Sequence, residues 1–280
     1  LYESDTLYAI KGDFFEVKFN RKNGMLSSYS INNKELIKAP VRFNFRRALT
    51  DNDRGWKVGE KMKIWQDAGL HYTVQQFHIT SSDKDKTVIK GEYAFTDSKA
   101  TAIIEHTVFA NGTIEIEYNI SIPLNLPNIP RIGLQFEIEK ELQNIDWYGR
   151  GPHENYIDRE SGAAIGIYQT TLNQWITPYV RPQENSNRGG IRWLRFSQGT
   201  HQLQFSAVGE PFCASAWPYT ISTLEQTTHD FELKMHNNII VDIDCNQMGV
   251  GGDCSWGLPV LQKYQIKPGK YQYKFIISAK

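Results

Sequence analysis

The chain has 280 residues, and its 31 Lys and Arg are balanced by 31 Asp and Glu, so its formal charge is zero. Such a balance offers no field to steer the protein to nucleic acid or to an anionic membrane, and no apolar run approaches the ~20 residues that span a bilayer. Cys213, Cys245 and Cys254 are too few for a disulfide framework and lack paired zinc spacing, although Cys245 and Cys254 are near enough in sequence to meet across a loop.

The chain opens on Leu1 with no legible signal peptide, as a cut or processed piece would. Phe15–Phe19 alternates apolar and polar, Arg21–Gly24 turns, and Met25–Ile31 returns. The pattern over Glu60–Ala68 predicts two helical turns before Gly69. Asn111-Gly112 between two β-rich runs, 102–109 and 113–122, is a hairpin signal. Alternation resumes over Arg131–Ile138, and further strands are expected at 191–196, 201–206, 231–235 and 271–277, with a single helical turn over 222–228. The acids Glu115/Glu117, Glu137/Glu139 and Asp242/Asp244 fall on every second residue, the pattern of a solvated strand face. Many short strands with little helix and no linker predict an all-β fold, a large antiparallel sandwich forming a single domain over 1–280.

Three polar segments interrupt the strands. Arg47–Trp56 reads as a loop in which Asp51, Asn52 and Asp53 favour turn geometry and Gly55 allows movement. Asp51 and Asp53 are oxygen donors, but no calcium-loop spacing follows them. The segments 149–159 and 179–188 both combine Pro, Glu and Asn with arginines, as an internal ion-pair network or a polyol site would. His153, Glu154 and Glu184 form the available acid–base set.

A fourth segment, 246–257, holds Gly249, Gly251 and Gly252, which allow positive φ or a close backbone approach, and delivers Trp256 to one place. Gly249-Val-Gly251 is not a dinucleotide fingerprint, since Cys254 stands where its third glycine belongs and no βαβ unit surrounds it. Trp256 reads either as a core plug beneath a tight turn or as a platform on which a sugar ring stacks.

In their order and spacing these four segments resemble the C-terminal domain of the multidomain β-galactosidases of glycoside hydrolase family 2, from about Phe14 to Ile277. The resemblance implies a galactose mutarotase-like β-supersandwich. It also implies that Trp256 contacts the sugar at the active-site rim, with Asp51, Asn52, Asp53 and Gly55 near the same opening. Cys254 departs from the acidic or amide residue common at its position. Hydrolysis with retention needs two carboxyl groups about 5–5.5 Å apart. The resemblance places both glutamates on a preceding TIM-barrel domain outside this sequence, together with the Mg2+ and Na+ ligands of the parent enzyme.

The chain is therefore expected to be non-catalytic, with no cofactor or metal of its own, and to complete the galactoside pocket of its parent. A homo-oligomeric parent, in the cytoplasm or periplasm of a bacterium, fits the resemblance. Two alternatives stay open. One is an independent carbohydrate-binding module using Trp256 and the Asp51 segment. The other is an aldose mutarotase or epimerase, whose acid and base would be His153 and Glu184 with Glu154 in support.

Overall fold

The computed structural model of the protein describes residues 1–251 and 257–280. Alternation does what it predicts. In Phe15–Asn20 the side chains of Phe15, Val17 and Phe19 enter the core, while Glu16 and Lys18 pair at 2.8 Å outside it. The hairpin to Met25–Ile31 closes through Gly24 at φ +68°, a conformation that costs little only without a Cβ. Asn111 and Gly112 join Thr101–Phe109 to Ile114–Ser121 as expected, with the Phe109 N–H on the Thr113 carbonyl.

Among the described residues the strands form two antiparallel sheets. The ten-stranded sheet runs from the N-terminal hairpins through Lys34–Ile37 to Arg131–Ile138, Ile239–Gln247, Phe212–Trp217 and Arg188–Ile191, with Arg42–Asn44 also pairing on Arg131–Ile138. The nine-stranded sheet runs from Ala164–Thr171 at one edge to Tyr72–Ser82 at the other. The two pack face to face. Phe136 of the first sheet meets Phe205 and Phe275 of the second edge-on, at ring distances of 5.1 and 6.1 Å.

The other face of the ten-stranded sheet departs from expectation. Leu134, Phe136, Val241 and Ile243 point to the core, so Arg131, Gln135, Asp242 and Asp244 point away from it. Asp242 and Asp244 were expected in water, yet both are fully buried. Alternation fixes which side a residue faces; here the segments around Ala48, Glu184 and Leu224 roof that side over. The close fit needs Gly133, where a Cβ would stand 1.9 Å from the Asp244 carboxylate.

The expected strand over 231–235 is absent. That stretch holds a 3-10 turn, Asp230–Glu232, closed by the His229 N–H on the Glu232 carboxylate, and Phe231 and Met235 are exposed. β-propensity without a free sheet edge to pair with does not make a strand. Of the expected helical stretches, that over 60–68 is broken into a short helix, Val58–Lys61, and a 3-10 turn, Lys63–Trp65, while the turn expected over 222–228 is the helix Ile221–Gln226, capped by Thr220. No helix among the described residues is long and apolar enough to cross a membrane.

Candidate functional site

Arg47–Trp56 is not a loop throughout, because Asp51–Trp56 is a helix. Thr50 and Asp53 cap it reciprocally: the Asp53 N–H donates to Thr50 Oγ1 at 3.0 Å and the Thr50 N–H to Asp53 Oδ2 at 3.1 Å. The Thr-x-x-Asp spacing carried that signal. Asp53 is buried and also accepts two hydrogen bonds from Arg47, at 3.0 and 2.8 Å, so its carboxylate is committed internally. Asp51 is exposed and Asn52 partly so.

The four polar segments converge here. Arg47 donates to the carbonyls of Met248 and Gly249 at 2.6 and 2.9 Å, Asn52 Nδ2 donates to Val250 at 2.8 Å, and the Gly251 N–H donates to Asp158 Oδ2 at 2.7 Å. Each residue from 248 to 251 is thus held by a side chain from another segment. Neither Gly249 nor Gly251 has positive φ. Their need is for close approach, since a Cβ at 249 would stand 2.7 Å from the Asp158 carboxylate and one at 251 would stand 3.3 Å from it. Gly257 resumes the described chain with its Cβ direction 3.7 Å from the Gly55 carbonyl. Trp256, Gly252 and Cys254 lie outside the described residues, so both readings of Trp256 and the meeting of Cys245 with Cys254 do too.

Glu154 ties segments 149–159 and 179–188 together, accepting from Arg159 and Tyr179 at 2.5 Å each and from the Ser186 N–H at 2.8 Å. Gln183 exchanges hydrogen bonds with Asp51. A cavity of about 180 Å3 opens between these segments, lined by Asp51, Asn52, Arg159, Tyr179, Gln183 and Gly251 among others. Its lining mixes neutral donors and acceptors with charges of both signs, Asp51 and Glu184 against Arg159, a mixture that suits hydroxyl groups.

Beneath the cavity, Arg131 faces three carboxylates: Glu184 at 3.0 Å, Asp244 at 3.1 Å, and Asp242. Glu184 also accepts from Gln247 at 2.7 Å and from Tyr156 at 3.3 Å. Burial raises the pKa of all three carboxylic acids against the pull of Arg131, and Asp242 and Glu184 push Asp244 further, well above the usual range. Burial opposes the charge of Arg131, but Asp244, Glu184 and Asp242 outweigh it and raise its pKa.

His153 and Glu184 are not brought together as an acid–base pair. His153 stands in solvent, and Glu184 is sealed in the cluster with Glu154 on the neighbouring strap. Among the described residues no three Asp, Glu, His or Cys side chains are grouped so as to hold a metal ion. Sequence reasoning passed over Arg47 and Asp158, although both stood inside segments it had singled out.

Two stacked antiparallel sheets, with a polar face roofed by loops, define a mutarotase-like β-supersandwich. Galactose 1-epimerase from Lactobacillus acidophilus NCFM shares the fold with a TM-score of 0.54 at 8% identity, over 100% of this chain and 97% of that one. A putative aldose 1-epimerase from Escherichia coli K12 does so with a TM-score of 0.52 at 10% identity, over 98% and 99%. Within that fold the chain belongs to the beta-galactosidase small chain family, whose family model matches residues 11–277. A beta-galactosidase of Priestia megaterium is 33% identical over 94% of this chain, and one of Lactobacillus delbrueckii subsp. bulgaricus is 33% identical over 96%. The chain covers 25% and 27% of those two relatives, about a quarter of their length.

Proposed function

We propose that this chain is a non-catalytic part of a β-galactosidase acting on terminal β-D-galactosides. It would complete the sugar-binding opening of a TIM-barrel domain that lies outside the sequence. The observation that carries the reading is the convergence of four segments on one cavity, with the stem of the Trp256 segment fixed at its edge. The names of the relatives and their fourfold greater length support it. The chemistry would come from glutamates of the parent, and Mg2+ and Na+ would belong to the parent as well. The contribution of this chain is to exclude water and to offer a polar wall and an aromatic face to the sugar.

Stacking on the order of 50 Å2 of ring face at about 25 cal/mol per Å2 gives roughly 1 kcal/mol, a severalfold change in affinity. Trp256→Ala in the full-length polypeptide should raise KM by about that factor and leave kcat nearly unchanged, if ground and transition states share the contact. Unaltered galactoside kinetics, together with a large stability loss, would favour the core-plug reading. The cavity itself keeps a second reading in view, in which the chain binds sugar unaided; calorimetry of the chain with galactose and lactose separates the two.

A further inference from the structure

We infer that Asp158 is a positioning residue for the segment that carries Trp256, acting through the N–H of Gly251. The inference rests on the reading above in its kinetic consequence but not in its structural one.

Arg47 and Asn52 hold the stem by its carbonyls at 248, 249 and 250. Asp158 alone among these takes an N–H, at the last described residue before 252, across 93 residues of sequence. Fixing carbonyls at 248–250 and an N–H at 251 sets both the position and the orientation of the backbone at Gly251. A carboxylate acceptor makes that bond short and strong for its type. Gly249 and Gly251 lie against the same carboxylate, close enough that a Cβ at 249 would stand 2.7 Å from it.

Among the described residues no cation pairs with this carboxylate. Arg159 is bonded to Glu154, and Arg47 to Asp53. Asp158 Oδ1 is buried without a partner among the described residues. Asp158 as a whole is only partly buried, and a carboxylate that holds one backbone amide in this way is a poor source of stability. What it does supply is a fixed departure point for the aromatic segment, and small displacements of a contact group weaken catalysis and binding strongly.

The test uses the full-length polypeptide that contains this chain, with Asp158→Ala, Asp158→Asn and Gly249→Ala. One readout is KM and kcat on a nitrophenyl galactoside. The other is the labelling rate of Cys254 by an aromatic disulfide reagent, with Cys254→Ser subtracting all other thiols. Within this chain the background is slow, because burial lifts the thiol pKa of Cys213 to about 12 and of Cys245 to about 11.

Asp158→Ala should change the Cys254 labelling rate by about threefold or more, and raise KM severalfold with kcat within about twofold. Asp158→Asn keeps an acceptor oxygen and the side-chain shape, and should restore both. Gly249→Ala should reproduce the alanine effect by pushing the stem off the carboxylate, and it serves in place of Asp158→Ala if that variant fails to fold. Labelling and KM both unchanged in Asp158→Ala, or Asp158→Asn as impaired as Asp158→Ala, overturns the inference. If Trp256→Ala leaves KM unaltered, the sugar-stacking reading falls, and the labelling rate alone then decides whether Asp158 positions the segment.

Discussion

Arg131→Met removes the single guanidinium that three buried carboxylates share. Methionine keeps an unbranched stem, so the packing loss is small and the electrostatic loss dominates. Arg131 lies 3.0 Å from Glu184 and 3.1 Å from Asp244, and it also bonds Asp242. Arg47, whose charge also acts on Glu184, is engaged by Asp53. Removing one partner of a buried pair costs about 3–5 kcal/mol. With three carboxylates stranded at once the upper end applies, about 5 kcal/mol, against a typical total of roughly 5–15 kcal/mol.

The loss should depend on pH. Burial already raises the carboxyl pKa values of Asp244, Glu184 and Asp242, and without Arg131 they rise further. A carboxyl group with a raised folded-state pKa stabilises the fold below its unfolded value, and that stability is lost as pH rises through the folded value. The deficit should therefore be smaller at about pH 5, where protons replace the guanidinium, than at about pH 8. Urea unfolding of the chain, followed by tryptophan fluorescence at both values, measures it. A deficit under about 1 kcal/mol, or one that does not change with pH, would refute the claim that these charges act on one another in a dry interior.

The buried imidazole of His106 packs edge-on to Phe19 at 4.9 Å, and burial holds its pKa down to about 3. The unfolded chain takes up that proton first as pH falls below about 6.5, so His106 should withdraw about 2 kcal/mol of stability by pH 5; His106→Phe should flatten that part of the urea-midpoint curve. The joint core of the two sheets predicts one calorimetric transition for the chain, and two well-separated transitions would count against a single domain. The chain alone should not hydrolyse a nitrophenyl galactoside; sustained turnover abolished by a substitution within 1–280 would overturn the non-catalytic reading.

The strands and the main hairpins were legible because their causes are local. Phe15, Val17 and Phe19 alternate with Glu16 and Lys18, and Asn111-Gly112 accepts a tight turn, whatever the rest of the chain does. The four polar segments were legible as segments, and their resemblance to a family carried the fold. The fate of their side chains was not. Thr50 and Asp53 read as turn formers and became a helix cap whose acid is spent on Arg47.

Asp242 and Asp244 alternate as solvated residues do, because alternation reports only a side of the sheet. Whether that side is wet depends on segments such as 179–188, which lie more than fifty residues away in sequence and fold back over it. Gly249 and Gly251 announced an unusual backbone, but not that a carboxylate would fill the space a Cβ would take. Phe231–Met235 had the composition of a strand and found no edge to join. Periodicity is written by neighbours two residues apart, whereas burial, charge partners and pairing edges are supplied by chain brought in from far along the sequence, and only the tertiary structure says which chain that is.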